Sequence, residues 1–444
     1  MRTLLLPALL GATLIHGPAL PLASQELRSG EVRPLPGGLD QRLLVNDNNP
    51  EVVTEDGILL STFDGSGRKV PSAHLNVPLE GAFDLFSHHV YAGAKGAPES
   101  TLWLGVILGN RSDRPVTVQV PSGATYLSQP GAPFLPLPAR MEHDGLSVYA
   151  GPGSRTAGDL IAGAPRPAAL PEQITLEPKA NAVLLSLPLP VKGLDPLLNG
   201  RTLQLRLRSD GPVSLATVGL ISDQAPEASA LLALLDGDLS AKEHRASPKG
   251  AAGSIIYSRV SGIQIGSRWS GQLRDPGSKT LAVGDQPISW PIASLQRGSL
   301  GTKQVQSAQL KAFYPGTSWE AHGNYGVEYD LQLPLKNSSN KTRRYDLRLE
   351  SPLKTDRNQG GLKFISPAKG PIFFRGSVEV RGSDDGPGRR YLHLVLRKGD
   401  PGQSLGMITL GPGEQRTARV RLIVPADITP VQVLSVVPVK QSDS

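Results

Sequence analysis

The stretch "SWEAHGNYGVEY" places Trp319, His322, Tyr325 and Tyr329 within eleven residues, in a chain of 444 residues that is only 5% aromatic. Aromatic rings stack on the apolar faces of sugars, and the neighbouring Glu320 and Asn324 can hydrogen-bond hydroxyls. These four residues are the candidate ligand-binding set. The competing use of the same side chains is core packing at a sheet edge.

Acid–base and metal chemistry need other residues. Of eight His, only His88 and His89 are adjacent, in "FDLFSHHVY". Neighbours on a strand point to opposite faces, so the two cannot chelate one ion together. Outside ligands such as His74 or Asp84 stand at no metal-binding spacing. One of the pair is expected to pack among Phe83, Phe86 and Tyr91, and the other to be exposed. "SPLK" (Ser351 to Lys354) and "SPAK" (Ser366 to Lys369) match Ser-x-x-Lys, but that motif needs Ser at a helix start, which the following Pro and strand-rich surroundings oppose. No Gly-x-Ser-x-Gly elbow, Walker loop or calcium-loop spacing occurs. On these grounds no catalytic residue, metal or cofactor is assigned. Asn110-Arg-Ser, Asn337-Ser-Ser and Asn340-Lys-Thr are glycosylation sequons, meaningful only in a eukaryotic secretory chain.

The elements that would position such residues are strands. Gly (49) and Pro (40) make up 89 of 444 residues, about a fifth, against roughly 12% in ordinary soluble chains. Both residues break helices, so the expected fold is all-β, with many short strands joined by turns. There is no cysteine. No disulfide or thiolate chemistry is open to the chain, and burial must hold its cores. Residues 1–23 read as a signal peptide: Arg2 is followed by no charge until Glu26, with small residues at Ala19 and Ala23. Pro7, Pro18, Pro21 and His16 oppose a stable spanning helix. No later run approaches about 18 apolar residues, so no transmembrane segment is expected in the mature chain. Its expected location is periplasmic or secreted, in contact with the cell envelope.

The residues after the signal divide into a loop-rich segment with a few strands (24–80), a first β-sandwich (81–222), a short helix and linker (223–254) and a second, basic β-sandwich (255–440). Immunoglobulin-like layers of about seven strands are expected. The helix is "APEASALLALLDGD", with Leu231, Leu232, Leu234 and Leu235 on its apolar face. Strict alternation in "LQLRLR" puts Leu203, Leu205 and Leu207 on one side of a strand, and Ser209-Asp-Gly-Pro should turn the chain after it. Three landmarks recur in order. "LWLGVILGNRSDRPVTVQV" is matched by "YDLQLPLKNSSNKTRRYDLRL", "ITLEP" by "ITLGP", and "GPVSLATVGLI" by "TPVQVLSVVPV". The matching order argues for a duplicated sandwich, with Asn110 equivalent to Asn337 and Ile174 to Ile408, against the alternative that short alternating strands resemble one another in any case.

Net charge is +7, and from Lys336 to Ser444 there are 19 Lys/Arg against 10 Asp/Glu. A basic domain on an exported chain suits an anionic partner such as acidic polysaccharide or lipid head groups, although the same charge also serves solubility. Nucleic acid is not expected, because no groove-reading motif or base-stacking aromatics accompany the charge. The blocks "FDLFSHH", "TYLSQPGAPF", "GPGSR", "RGSLGT", "AHGNYGVEY" and "FFRG", together, resemble those of a family of secreted cyanobacterial proteins of unknown function, over nearly the whole mature chain. That resemblance implies export and makes the sequons irrelevant, and it assigns no activity. The resulting expectation is a non-enzymatic envelope protein whose sandwich modules bind a polysaccharide or another envelope partner. The alternatives are a polysaccharide hydrolase, for which Asp84, Glu320 and Glu328 are the nearest acids, and an assembly or chaperone factor using a sheet edge.

Overall fold

The computed structural model describes residues 24–143, 150–243 and 245–440, so the expected signal segment and His244 lie outside the described residues. The chain is nearly all β. Five strands come first: β1 Ser24–Ser29, β2 Glu31–Val32, β3 Gly38–Leu39, β4 Leu43–Asp47 and β5 Gly57–Ser61. A first unit then holds β6 Leu79–Tyr91, β7 Thr101–Asn110, β8 Val116–Leu127, β9 Arg140–His143, helix α1 Pro152–Ala162, β10 Gln173–Leu176, β11 Asn181–Pro190 and β12 Asn199–Ser222. Helix α2 Ala228–Ala233 leads to β13 Ser261–Ile265, β14 Arg268–Gln272, β15 Leu281–Ala282, β16 Ile288–Ile292, β17 Ala308–Phe313 and β18 Glu320–Ala321. The second unit holds β19 Glu328–Lys336, β20 Arg343–Glu350, β21 Gly361–Ser366, β22 Ile372–Arg381, β23 Arg390–Arg397, β24 Ser404–Leu410, β25 Gln415–Ile423 and β26 Gln432–Pro438.

The two units share one topology. Strands run in the order β10-β8-β12-β6-β4 in the first and β24-β20-β26-β16-β2 in the second. The pairs β6-β4 and β16-β2 are both parallel, although the first sheet continues beyond β4 to β13. In the opposite layers β11 pairs with β7 and β25 with β19. The register agrees residue by residue: Ile174 lies opposite Val118 and Leu176 opposite Val116, while Ile408 lies opposite Tyr345 and Leu410 opposite Arg343. Leu104, Val106 and Leu108 correspond to Leu331, Leu333 and Leu335, and all six are buried. Each unit closes on its own core, one around Val106, Val118, Leu185 and Leu205 and the other around Leu333, Tyr345, Ile408 and Val420.

The Asn corner explains why the motif recurs. Asn110 Nδ2 donates to Arg114 O (2.7 Å), Leu176 O (3.1 Å) and Glu177 O (3.0 Å), while its Oδ1 accepts from Ser112 N and Oγ, both at 2.8 Å. Asn337 repeats every contact, to Lys341 O (2.7 Å), Leu410 O (2.9 Å), Gly411 O (3.0 Å), Ser339 N (3.0 Å) and Ser339 Oγ (2.7 Å). One amide thus ties a hairpin turn to the end of a strand about 70 residues away, satisfying carbonyls that burial would otherwise leave unpaired. With Asn110 4% and Asn337 1% exposed and their amide nitrogens engaged, neither can carry a glycan.

Three features differ from the sequence reading. The Ser209-Asp-Gly-Pro stretch does not end a strand. β12 runs on through it with a register shift between Ser209 and Val213, and so passes from one layer, beside β6 and β8, to the other, beside β7 and β5. Pro212 has no N–H to give a ladder, which suits a bulged bend. Secondly, α1 was not foreseen. Its Gly and Pro hide it, yet Pro152 occupies the first turn, where a missing N–H costs nothing, and Gly163 closes the helix in the left-handed conformation. Thirdly, neighbouring strands in the sequence are not always neighbours in the fold. β1, β2 and β3 pair with β21, β16 and β14, while β13 returns to β4.

The two units also carry insertions at the same point. Between β8 and β10 the first inserts β9 and α1, and between β20 and β24 the second inserts β21, β22 and β23. These insertions pack on each other: β9 pairs with β23, and the Ala157, Leu160 and Ile161 face of α1 joins Ala124 of β8, Tyr391 of β23 and Ile423 of β25 in one cluster. Helix α2 and the 3-10 turn that follows it, Leu234–Asp236, instead lie on the first unit, where Leu231 and Leu235 cover Ile107, Ala216 and Val218.

Equivalence of the two corners has a measurable consequence. Asn110→Ala and Asn337→Ala should each cost about 2–3 kcal/mol, because buried carbonyls lose their donor. Urea unfolding should report similar losses for the two, and a smaller one for Ser112→Ala. A loss confined to one corner would show that the two are not energetically alike.

Candidate functional site

The aromatic set divides. Tyr329 is fully enclosed in the second core, and its hydroxyl binds Asn324 Nδ2 (2.9 Å), Ala293 N (3.2 Å) and Gln306 Oε1 (3.1 Å). It is framework. Trp319 is half-buried and donates its indole N–H to Ser247 O at 3.1 Å. His322, 5% exposed, is held edge-on between Tyr257 and Trp319, with ring centres 4.6 and 5.2 Å away. Its Nδ1 lies 3.1 Å from Glu320 Oε1. Tyr325 donates its hydroxyl to Ile428 O at 3.0 Å.

His322 and Tyr325 line one cavity of about 220 Å3, and Asn48, Tyr257, Arg259, Lys354, Thr429 and Pro430 are among its other walls. The cavity lies where the halves meet, since Asn48 follows β4 of the first sheet while Thr429 and Pro430 precede β26 of the second. Two glycines permit the approach. A Cβ on Gly323 (φ +85°) would stand 2.7 Å from the Pro430 ring, and one on Gly326 (φ +82°) 2.9 Å from the Phe86 ring. Both positions are left-handed, which favours glycine in any case. Asn324, between them, fixes the loop by donating to Gln306 O (2.7 Å) and accepting from Ala308 N (2.9 Å).

The walls are aromatic and cationic, with no Asp or Glu among the lining residues. Arg259 is held from behind by Glu51 through Nη2 and by Glu243, 3.3 Å from Nε. Burial, and then the like charge of Lys398, lower the Lys354 pKa below its ordinary value. Burial pushes the Tyr325 hydroxyl up to about 12, so it stays a neutral donor. Such a site can bind, through ring stacking and charge-assisted hydrogen bonds.

Other chemistry-bearing groups are enclosed. Both His of the adjacent pair are buried, correcting the expectation that one is exposed: His88 lies 2.8 Å from Thr202 Oγ1, and His89 2.9 Å from Asp47 Oδ2 and 2.7 Å from Pro50 O. The strand β6 that carries them is buried at every residue from Phe83 to His89, so both of its faces are covered there. His74 bridges Ser61 Oγ (2.8 Å) and Leu235 O (3.1 Å). Ser154 and His393 approach to 3.1 Å, but both are 0% exposed and out of a substrate's reach. Among the acids, Glu328 is clasped by Arg206, Arg268 and Arg421, and Asp84, 4% exposed, lies 3.4 Å from Arg42. Among the described residues no group of three or more His, Asp or Glu is placed to hold a metal ion, and no helix is long and apolar enough to cross a membrane.

The pattern of a family described as "Protein of unknown function (DUF3370)" matches residues 30–438. The chain belongs to this family. No curated protein matches it. Among the pocket residues that sequence reasoning missed are Asn48, Tyr257, Arg259, Lys354 and Thr429, which come from four distant stretches of this family member. Lys354 did carry a signal, within "SPLK", but its Ser351 partner is enclosed and only the lysine reaches the cavity.

The enclosed groups predict a pH dependence. Burial raises Asp427 to about 7 from 3.8, against the opposing pull of Arg375 and the Ser154 N–H. The folded protein therefore takes up this proton near pH 7 and the unfolded chain only near pH 4, so the group stabilises the fold progressively as pH falls across that window. His88 and His393, lowered to about 3 and about 4 mainly by burial, act in the opposite sense below about pH 6.5. Comparison with Asp427→Asn isolates the carboxyl. Wild type should gain stability relative to the variant between pH 7 and pH 4, by at most about 1.4 kcal/mol per pH unit. Parallel pH profiles in denaturant titrations would contradict this.

Proposed function

We propose that this chain is a non-enzymatic binding protein of the cell envelope, exported by its N-terminal segment, whose paired β-sandwich units hold a polysaccharide. The observation that carries the reading is the cavity between the halves, with Tyr257, His322 and Tyr325 in its walls beside Arg259 and Lys354. Ligand sites favour such junctions, where rigid walls from two cores converge. At about 220 Å3 the cavity is smaller than the roughly 300–1,000 Å3 of drug-sized ligand sites, which suits one or two sugar rings of a longer chain lying outside. The surplus of Lys and Arg after Lys336 supplies long-range attraction to acidic polymers.

The test is retention of the full chain on immobilised acidic and neutral polysaccharides. Retention on the acidic polymer should weaken several-fold as salt rises from low levels to about 0.5 M, because exposed charges are screened within about 8 Å already at physiological ionic strength. Tyr257→Ala should weaken binding to both polymers. Salt-independent retention that Tyr257→Ala leaves unchanged would defeat the proposal.

A further inference from the structure

The charges around the cavity are arranged for more than general attraction. Arg259 has its Nε and Nη2 engaged by Glu243 and Glu51, so its guanidinium plane is set, while its Nη1 has no hydrogen-bond partner among the described residues. Lys354 forms no ion pair among the described residues. Its ammonium lies 5.6 Å from the Phe373 ring centre and is disfavoured by burial and by Lys398. Asn48 is 2% exposed, and its Oδ1 has no hydrogen-bond partner among the described residues. The wall thus offers the Lys354 ammonium, the one Arg259 nitrogen that Glu51 and Glu243 leave free, an unused amide acceptor and the rings of Tyr257, His322 and Tyr325. A neutral sugar would use the rings and leave the Lys354 ammonium without an anionic partner among the described residues. An oxyanion would relieve the repulsion at Lys354 and take the free guanidinium donor, while a ring hydroxyl could donate to Asn48.

We infer that the cavity selects a sugar ring bearing an oxyanion, a carboxylate or a sulfate, over its neutral counterpart. This rests on the cavity being a glycan site. Arg259 and Lys354 are the specificity-determining residues, and Tyr257, His322 and Tyr325 supply the ring contact common to both kinds of sugar.

Calorimetric titration of the full chain with methyl glucuronoside, glucose 6-sulfate, methyl glucoside and acetate tests this. At least one of the two acidic sugars should bind about tenfold or more tightly than methyl glucoside, as one charge-assisted hydrogen bond warrants. The tighter of the two identifies the acid group. Lys354→Ala removes a side chain with no ion pair among the described residues, and it should cut the ratio of acidic-sugar to methyl glucoside affinity several-fold, the loss falling mainly on the acidic sugar. Equal binding of acidic and neutral sugars would overturn the charge selection and leave the glycan reading standing. Acetate binding as tightly as the acidic sugars would overturn ring recognition. Binding of none of the sugars would remove both readings.

Discussion

Glu328 is the contact on which the joining of the two halves depends. It is 2% exposed, and its carboxylate meets Arg206 (2.6 Å), Arg268 (3.0 Å) and Arg421 (2.8 Å). Arg206 belongs to β12 of the first unit, and Glu328 and Arg421 to β19 and β25 of the second. Burial alone would raise this acid, but the three guanidiniums outweigh it and hold the pKa below its ordinary value. Arg421 reaches on to Glu379 (2.9 Å), which in turn holds Arg381 (2.7 Å), so the charges form a connected row. Removing Glu328 takes away the acid that Arg206, Arg268 and Arg421 share, leaving Arg206 and Arg268 without an ion-pair partner among the described residues. Beside it Gln204 donates to Gly326 O at 2.7 Å, and Phe86 packs on the same glycine. The cavity lies along this seam, and its walls inherit the fixed spacing.

The duplication and the seam have separate causes. The Asn corners, matched registers and parallel pairs are what each unit needs to close its own core. Docking also uses what the units do not share. The insertion of the first unit supplies α1 and β9, the insertion of the second supplies β22 and β23, and their mutual packing covers faces that either unit alone would leave open. The short N-terminal strands add a further bond, since β2 pairs in parallel with β16 of the second unit as β4 pairs with β6 of the first.

Period-two alternation and turn chemistry made the long strands legible from sequence, because each records a local choice between a buried and a wet face. The Asn-x-Ser corners were legible as a repeated landmark, and Asn110 and Asn337 proved to be one device used twice. The apolar face of α2 was legible for the same reason of spacing. Helix α1 was not, because its Gly and Pro suit a helix end that only Asp427 and the flanking sheets reveal. Two-residue strands such as β2 and β3 carry no pattern of their own and exist only through their partners. The candidate site shows the same limit. "SWEAHGNYGVEY" marked His322 and Tyr325, but composition could not say that Tyr329 turns into the core, since alternation fixes relative faces and not which face is covered. Arg259 and Lys354 reach the cavity from elsewhere in the chain, and their role follows from which charges remain unpaired after folding. Local pattern determined the strands and the corners, whereas long-range pairing, burial and the meeting of the two units decided the pocket, because those depend on residues the sequence keeps far apart.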